Sequence, residues 1–208
     1  MVSQINEQWI KLPVSFYERE NAALIASALI GKILITKIGE ILTAARIVET
    51  EAYKGITDKA SHAYGNRRTA RTEIMYANGG VSYVYLCYGI HHLFNVVTNR
   101  SGVPHAVLIR AAEPINGIAE MLRRTGKQKL DNSLTSGPGN LTRALGISTA
   151  YNGISLTGET IYIAADNFMI NTSEIIATTR IGVDYAGEDA LLPYRFILKD
   201  NPFVSGKK

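Results

Sequence analysis

The chain has a single cysteine, Cys87, among its 208 residues. One thiol cannot close an internal disulfide, and without cysteine pairs there is no thiolate zinc site or iron–sulfur cluster. Long hydrophobic runs are also missing. The longest, residues 22–30 (AALIASALI), contains a serine and is far too short to span a bilayer. The opening MVSQINEQWIKLP lacks the basic-then-apolar layout of a secretory signal, so an intracellular protein is expected. No Pro/Gly/Ser-rich linker, internal repeat or low-complexity tract interrupts the chain, which predicts one domain over residues 1–208. Charged residues make up only 19% against 46% apolar, a balance that excludes a disordered chain. Lys and Arg number 22 against 18 Asp and Glu, and the resulting net charge of +4 mildly favours an anionic partner such as nucleic acid.

Pattern gives a coarse architecture. Ser15 and Glu18 form a Ser-x-x-Glu capping pattern, Leu24, Ala28 and Leu29 continue a helical face, and Gly31 is a natural stop, so a helix is expected over residues 16–30. KILITK reads as a strand, IGE as a turn and ILTAARIVETEAY as a long returning strand. A basic, apolar-poor loop covers residues 54–72. Strands are expected at YVYLCYG, LFNVVT and AVLIRAA, followed by a helix from Pro114 to about Arg124. GKQKLDNSL reads as loop and NLTRALG as a short helix, while ISLTG, ETIYIAA and YRFILK read as strands. Strands that do not alternate regularly with helices point to a mixed sheet rather than βαβ units.

Three stretches carry chemistry. In IVETEAY, simple alternation puts Ile47, Glu49, Glu51 and Tyr53 on one face. Two carboxylates beside a phenol are commonly the wet face of an edge strand. Alternatively, one carboxylate activates a water, as in an inverting glycoside hydrolase, while the tyrosine offers a flat surface to a substrate ring. A third reading adds Asp58 and His62 as a hard-metal site, although that spacing matches no standard ligand motif. The loop SHAYGNRRTARTE carries Arg67, Arg68 and Arg71 with no acid between them. That is an ordinary solvated loop, or, next to a tyrosine-rich strand, part of a nucleic-acid surface in which arginines meet phosphates and aromatics meet bases. In YVYLCYG, Tyr83 and Tyr85 share a face while Tyr88 falls beside Gly89 at a turn and is displayed. SGPGNLTRALG reads as a helix start at which Gly139 can touch a phosphate. His91, His92 and His105 read as ordinary core or surface histidines.

The ordered series RIVETEAY, DKASH, RTARTEIM, YVYLCYG, FNVVT, VLIRAAEP, TSGPGNLTRALGI, RIGVDYAGEDALLPYRF and KDNPFVS resembles the alkyladenine (3-methylpurine) DNA glycosylase family over residues 13–205. The resemblance implies a mixed α/β (α+β) domain with an antiparallel sheet and a protruding hairpin. It also implies hydrolytic excision of alkylated or deaminated purines from double-stranded DNA by a monofunctional enzyme without cofactor or metal. By the same resemblance Glu51 is the general base, Tyr53 and Tyr85 enclose the flipped purine, and His62 helps bind it. Asn95 screens the purine edge, Arg110 supports the pocket or the phosphate nearby, and Tyr88 is the wedge that fills the gap in the duplex. Glu49 is assigned a supporting role through hydrogen bonds, and Arg67, Arg68, Arg71 and Gly139 are candidates for the DNA backbone. A monomer in a bacterial cytoplasm, associated with the nucleoid and with no membrane partner, is expected. Two rivals differ in class. A non-catalytic damage-binding module has no need of Glu51, and a metal-dependent nuclease would use Glu49, Glu51, Asp58 and His62 as ligands.

Overall fold

A computed structural model describes residues 9–206; the first eight residues, which carry most of the leader reading above, lie outside them. Nine strands are found among the described residues: β1 (Ile10–Lys11), β2 (Ile33–Ile38), β3 (Ile41–Tyr53), β4 (Ser82–Cys87), β5 (His91–Thr98), β6 (His105–Asn116), β7 (Ile161–Ala165), β8 (Ile175–Thr178) and β9 (Arg195–Leu198). They form one antiparallel sheet in the order β1-β7-β2-β3-β6-β5-β4, with β9 pairing both β3 and β8. Among the described residues four α-helices complete the mixed α/β fold: α1 (Val14–Tyr17), α2 (Ala22–Leu29), α3 (Ile118–Thr125) and α4 (Pro138–Leu145). Among the described residues no helix is long and apolar enough to cross a membrane.

Alternation along the strands divides the sheet into two faces with different tasks. Val84 of β4, Phe94 and Val96 of β5, and Val107, Ile109 and Ala111 of β6 join the main core with Ile25 and Leu29 of α2, Met121 of α3, and Leu141 and Leu145 of α4. The residues between them, Tyr83, Asn95, Leu108 and Arg110, face the other way, into a cavity.

The long β3 obeys this rule only because its phase is reset. Ile47 pairs with Ala112 and Glu49 with Ala111, so Val48 has no residue opposite it. Thr50 then pairs with Ile109, leaving Arg110 unopposed on β6. These adjacent bulges cancel in register but change direction locally. Ala45 and Ile47 point into the core before them and Val48 and Ala52 after them, while the Thr50 hydroxyl donates to the Ala26 carbonyl of α2. Simple alternation had put Ile47 beside the glutamates, whereas it lies on the core side. Nor is β3 a wet edge. It is flanked by β6 on one side and by β2 and then β9 on the other, and Glu49 and Glu51 have no exposed surface.

Three other expectations are corrected. The helix over residues 16–30 is two helices, and the cap of the second is Asn21, whose side chain accepts from the N–H groups of Ala23 and Leu24. Leu24 is exposed, and the buried stripe is Ala22, Ile25, Ala26 and Leu29. Pro114 does not open a helix but sits in β6 where the pairing with β3 is already irregular, a place where a missing N–H costs little. The helix instead follows Gly117, whose φ of 74° and the 2.6 Å between an added Cβ and the Leu42 carbonyl leave room only for glycine. ISLTG is not a strand; Ser155 makes one isolated bridge to Val81.

Replacing Asn21 with Ala should therefore lower stability by about 1 kcal/mol in urea unfolding, since two helix-end N–H groups lose their acceptor. Ser15→Ala should be nearly silent. The reverse order would restore Ser15 as the cap.

Candidate active site

The pairing register sets four residues in a row across the sheet. Glu51 lies opposite Leu108, Leu108 opposite Asn95, and Asn95 opposite Tyr83. Over this row opens a cavity of about 540 Å³ lined by Tyr53, His62, Tyr85, Asn95 and Arg110 together with Arg71. Six residues spread over residues 53–110 are thus brought to one place, within the size range of small-molecule sites.

Glu51 is buried directly behind the wall of this cavity, held at both oxygens. Its Oε2 accepts from the Tyr53 hydroxyl at 2.8 Å, and its Oε1 accepts from the Ile181 N–H at 2.8 Å and lies 3.4 Å from Arg110 Nη1. All three partners line the cavity. Burial, and then the Glu51 charge beside it, hold the Tyr53 phenol well above its ordinary range, so it remains a hydrogen-bond donor. Two residues back, Glu49 is occupied more completely. Arg110 Nε and Arg195 Nε donate to its Oε1 at 2.8 and 2.7 Å, and the Ser205 N–H donates to Oε2 at 2.6 Å. The two carboxylates on one strand therefore differ in what they can do. Glu49 is consumed by structure, and Glu51 adjoins the cavity.

Asp58 is also consumed. Arg180 grips it with two short bonds, Nη1 to Oδ2 at 2.6 Å and Nη2 to Oδ1 at 2.8 Å, and the same guanidinium donates to the Ala52 carbonyl and lies 4.9 Å from the centre of the Tyr53 ring. This pair ties the basic loop to the segment that follows β8 and backs Tyr53. Among the described residues no three His, Cys, Asp or Glu side chains converge as a ligand set, so Glu49, Glu51, Asp58 and His62 do not meet as the metal reading required.

The aromatic wall is built from β4 and the basic loop. The His62 and Tyr85 rings meet edge to face at 4.7 Å, Tyr83 and Tyr85 lie 5.3 Å apart, and His62 Nδ1 is 2.8 Å from the Tyr83 hydroxyl. Asn95 is oriented by donating from Nδ2 to the Tyr83 carbonyl at 3.0 Å. At the rim, Tyr88 is 91% exposed with φ of 50°, followed by Gly89 at 74°, the pair of positive angles a primed hairpin turn needs. A tyrosine in that region is strained. With exposed Leu86 and Ile90 it makes an apolar hairpin tip.

The basic loop does not act as one patch. Arg68 pairs with Glu73 at 2.7 Å and stacks over Tyr76, away from the cavity. Arg67 lines a second, smaller cavity of about 400 Å³ that shares the wall formed by Ser61, His62, Arg71 and Tyr185. Arg71 is exposed but lies against His62 and Tyr85 at the cavity. Gly139, at the start of α4, lines the main cavity beside His91. Sequence reasoning missed Arg180, Arg195 and the Ile181 N–H. Each acts on a partner more than a hundred residues away, and only a pairing such as Glu51 opposite Arg195 reveals it.

Burial, and then the charges of Arg71 and Arg67, lower the His62 imidazole to about 4. Since the unfolded chain carries this group near 6.5, acid protonates the unfolded state first. The stability linked to neutral His62 is thus complete above pH ~6.5 and lost as pH falls toward 4. NMR should find the ring neutral at pH 5; a midpoint near 6.5 would mean that neither burial nor the arginines act on it.

The family model for methylpurine-DNA glycosylase (MPG) matches residues 15–202. A protein of Desulfitobacterium hafniense provisionally named 3-methyladenine DNA glycosylase is 45% identical, covering 95% of this chain and 99% of its own. Proteins with the same name from Alkaliphilus oremlandii and Bacillus cytotoxicus are 44% and 45% identical, covering 95% and 94% of this chain and all of their own. The chain belongs to the methylpurine-DNA glycosylase family of DNA-repair enzymes.

Proposed function

We propose that the protein flips damaged purines out of duplex DNA and hydrolyses their N-glycosidic bond, leaving an abasic site in an uncut strand. The observation that carries this reading is the placement of Glu51, anchored by Tyr53, Ile181 and Arg110 beside an aromatic cavity with Tyr88 at its rim. A base inside the helix is unreachable, so the nucleotide must be extruded, and Tyr88 fills the vacated gap. Tyr53 and Tyr85 then enclose the purine, His62 binds it in neutral form, and Asn95 clashes with the exocyclic amine of normal guanine. Glu51 orients and deprotonates the attacking water while its charge, steadied by Arg110, stabilises the oxocarbenium-like sugar.

Substrates on this reading are 3-methyladenine and 7-methylguanine, whose positive charge makes them good leaving groups, and the neutral hypoxanthine and ethenoadenine. Arg67, Arg68 and the amide of Gly139 contact phosphates. The enzyme works as a monomer in the bacterial cytoplasm, at the nucleoid, without cofactor.

Duplex oligonucleotides carrying one such lesion test this directly. Incubated with the protein in EDTA, they should release the free base and break only after hot alkali. Breakage without alkali, or activity lost in EDTA and restored by magnesium, would instead favour a metal-dependent nuclease.

A further inference from the structure

Arg71 is the cation at this site whose placement the reading above leaves unused. Its Nη2 lies 3.0 Å from His62 Nε2, its Nε donates to the Tyr83 hydroxyl at 3.3 Å, and its guanidinium carbon is 4.7 Å from the centre of the Tyr85 ring. Among the described residues no carboxylate pairs with it, and Nη1 has no hydrogen-bond partner. Two of its three nitrogens thus fix the group against the aromatic wall, and the third is free beside the cavity that Arg71 lines.

We propose that Arg71 is a specificity-determining residue that donates a hydrogen bond to the departing purine and thereby favours neutral lesions over cationic ones. The inference rests on the glycosylase reading. Breaking the glycosidic bond leaves its electron pair on the purine. Water adds its oxygen to C1′ and gives a proton to Glu51. A cationic methylated purine departs neutral and needs no help, whereas hypoxanthine departs as an anion and takes its proton from solvent afterwards. A guanidinium does not give up its proton in a protein and so cannot act as the acid, but its N–H groups stabilise a developing anion. The same fixed charge repels a purine that arrives positive. His62 brings no positive charge of its own, because burial beside Arg71 and Arg67 keeps it neutral.

Arg71→Met keeps the length of the side chain and removes both charge and donors; Arg71→Lys keeps the charge. Single-turnover release of hypoxanthine and of 7-methylguanine from otherwise identical duplexes, measured on the same protein, makes the ratio its own control for folding and DNA affinity. In Arg71→Met hypoxanthine release should fall about tenfold or more, the usual worth of a charge-assisted hydrogen bond. 7-Methylguanine release should stay level or rise, and the lysine variant should fall between. Equal losses on both lesions would make Arg71 a phosphate contact and overturn the inference, as would no change on either. Wild-type protein that releases 7-methylguanine but not hypoxanthine also overturns it. Wild-type protein that releases neither contradicts the glycosylase reading itself.

Discussion

Three distant parts of the chain converge on the Glu49 carboxylate. Arg110 comes from β6 and Arg195 from β9, and the Ser205 N–H closes from the segment beyond β9. With Glu51 the cluster has two carboxylates and two guanidiniums, so the charges balance in an almost wholly buried place beside the cavity. Removing one partner of such a group costs about 3–5 kcal/mol because the rest stay buried and uncompensated. This constraint explains the adjacent bulges at Val48 and Arg110. They turn Arg110 and both glutamates to the same face of the sheet, and Arg110 can then bridge them through Nε to Glu49 and Nη1 to Glu51. Glu49 thus positions Arg110, and Arg110 positions Glu51.

Division of labour between faces follows from the same strands. One side of β3 to β6 is packed by α2, α3 and α4, which gives the sheet its rigidity, and the other is free to carry polar groups. The strands hold Glu51, Asn95 and Arg110, whereas the proposed entry into DNA falls to the hairpin tip, where Tyr88 is strained and solvated. Loops supply the remainder. Asp58 and Arg180 tie the basic loop to the segment that delivers the Ile181 N–H, so the wall bearing His62 and the anchor of Glu51 are linked by one ion pair.

Much of this was legible in the residues. Period-2 patterns located β2, β3, β4, β5 and β6, the turn at Tyr88-Gly89 announced a displayed phenol, and the ordered motifs announced the family. Failures have local causes. Ser15 and Glu18 have the spacing of a capping box, yet Asn21 lies where the chain turns into the helix and offers its side chain to two amides. Pro114 is a good first helical residue, but pairing with β3 carries the strand past it to a glycine that alone fits the turn. A bulge leaves no mark on alternation, so Ile47 was placed on the wrong face, and the three arginines of the loop look alike in sequence though one faces Glu73, one a side cavity and one the aromatic wall. Wet glutamates are the usual case, and only the neighbours of β3 on both sides show that Glu49 and Glu51 are buried.

The central claim is that Glu51 is the base and Glu49 is not. Its most direct test is single-turnover excision by Glu51→Gln, with binding to the lesion duplex measured alongside. The amide preserves the shape, and its oxygen can still accept from the Ile181 N–H while its NH2 donates to the Tyr53 hydroxyl oxygen, but it neither takes a proton nor carries charge. The account predicts binding close to wild type and a rate lower by about 10²- to 10⁴-fold, the usual worth of general base catalysis. A variant that binds normally and excises within a few-fold of wild type would contradict it.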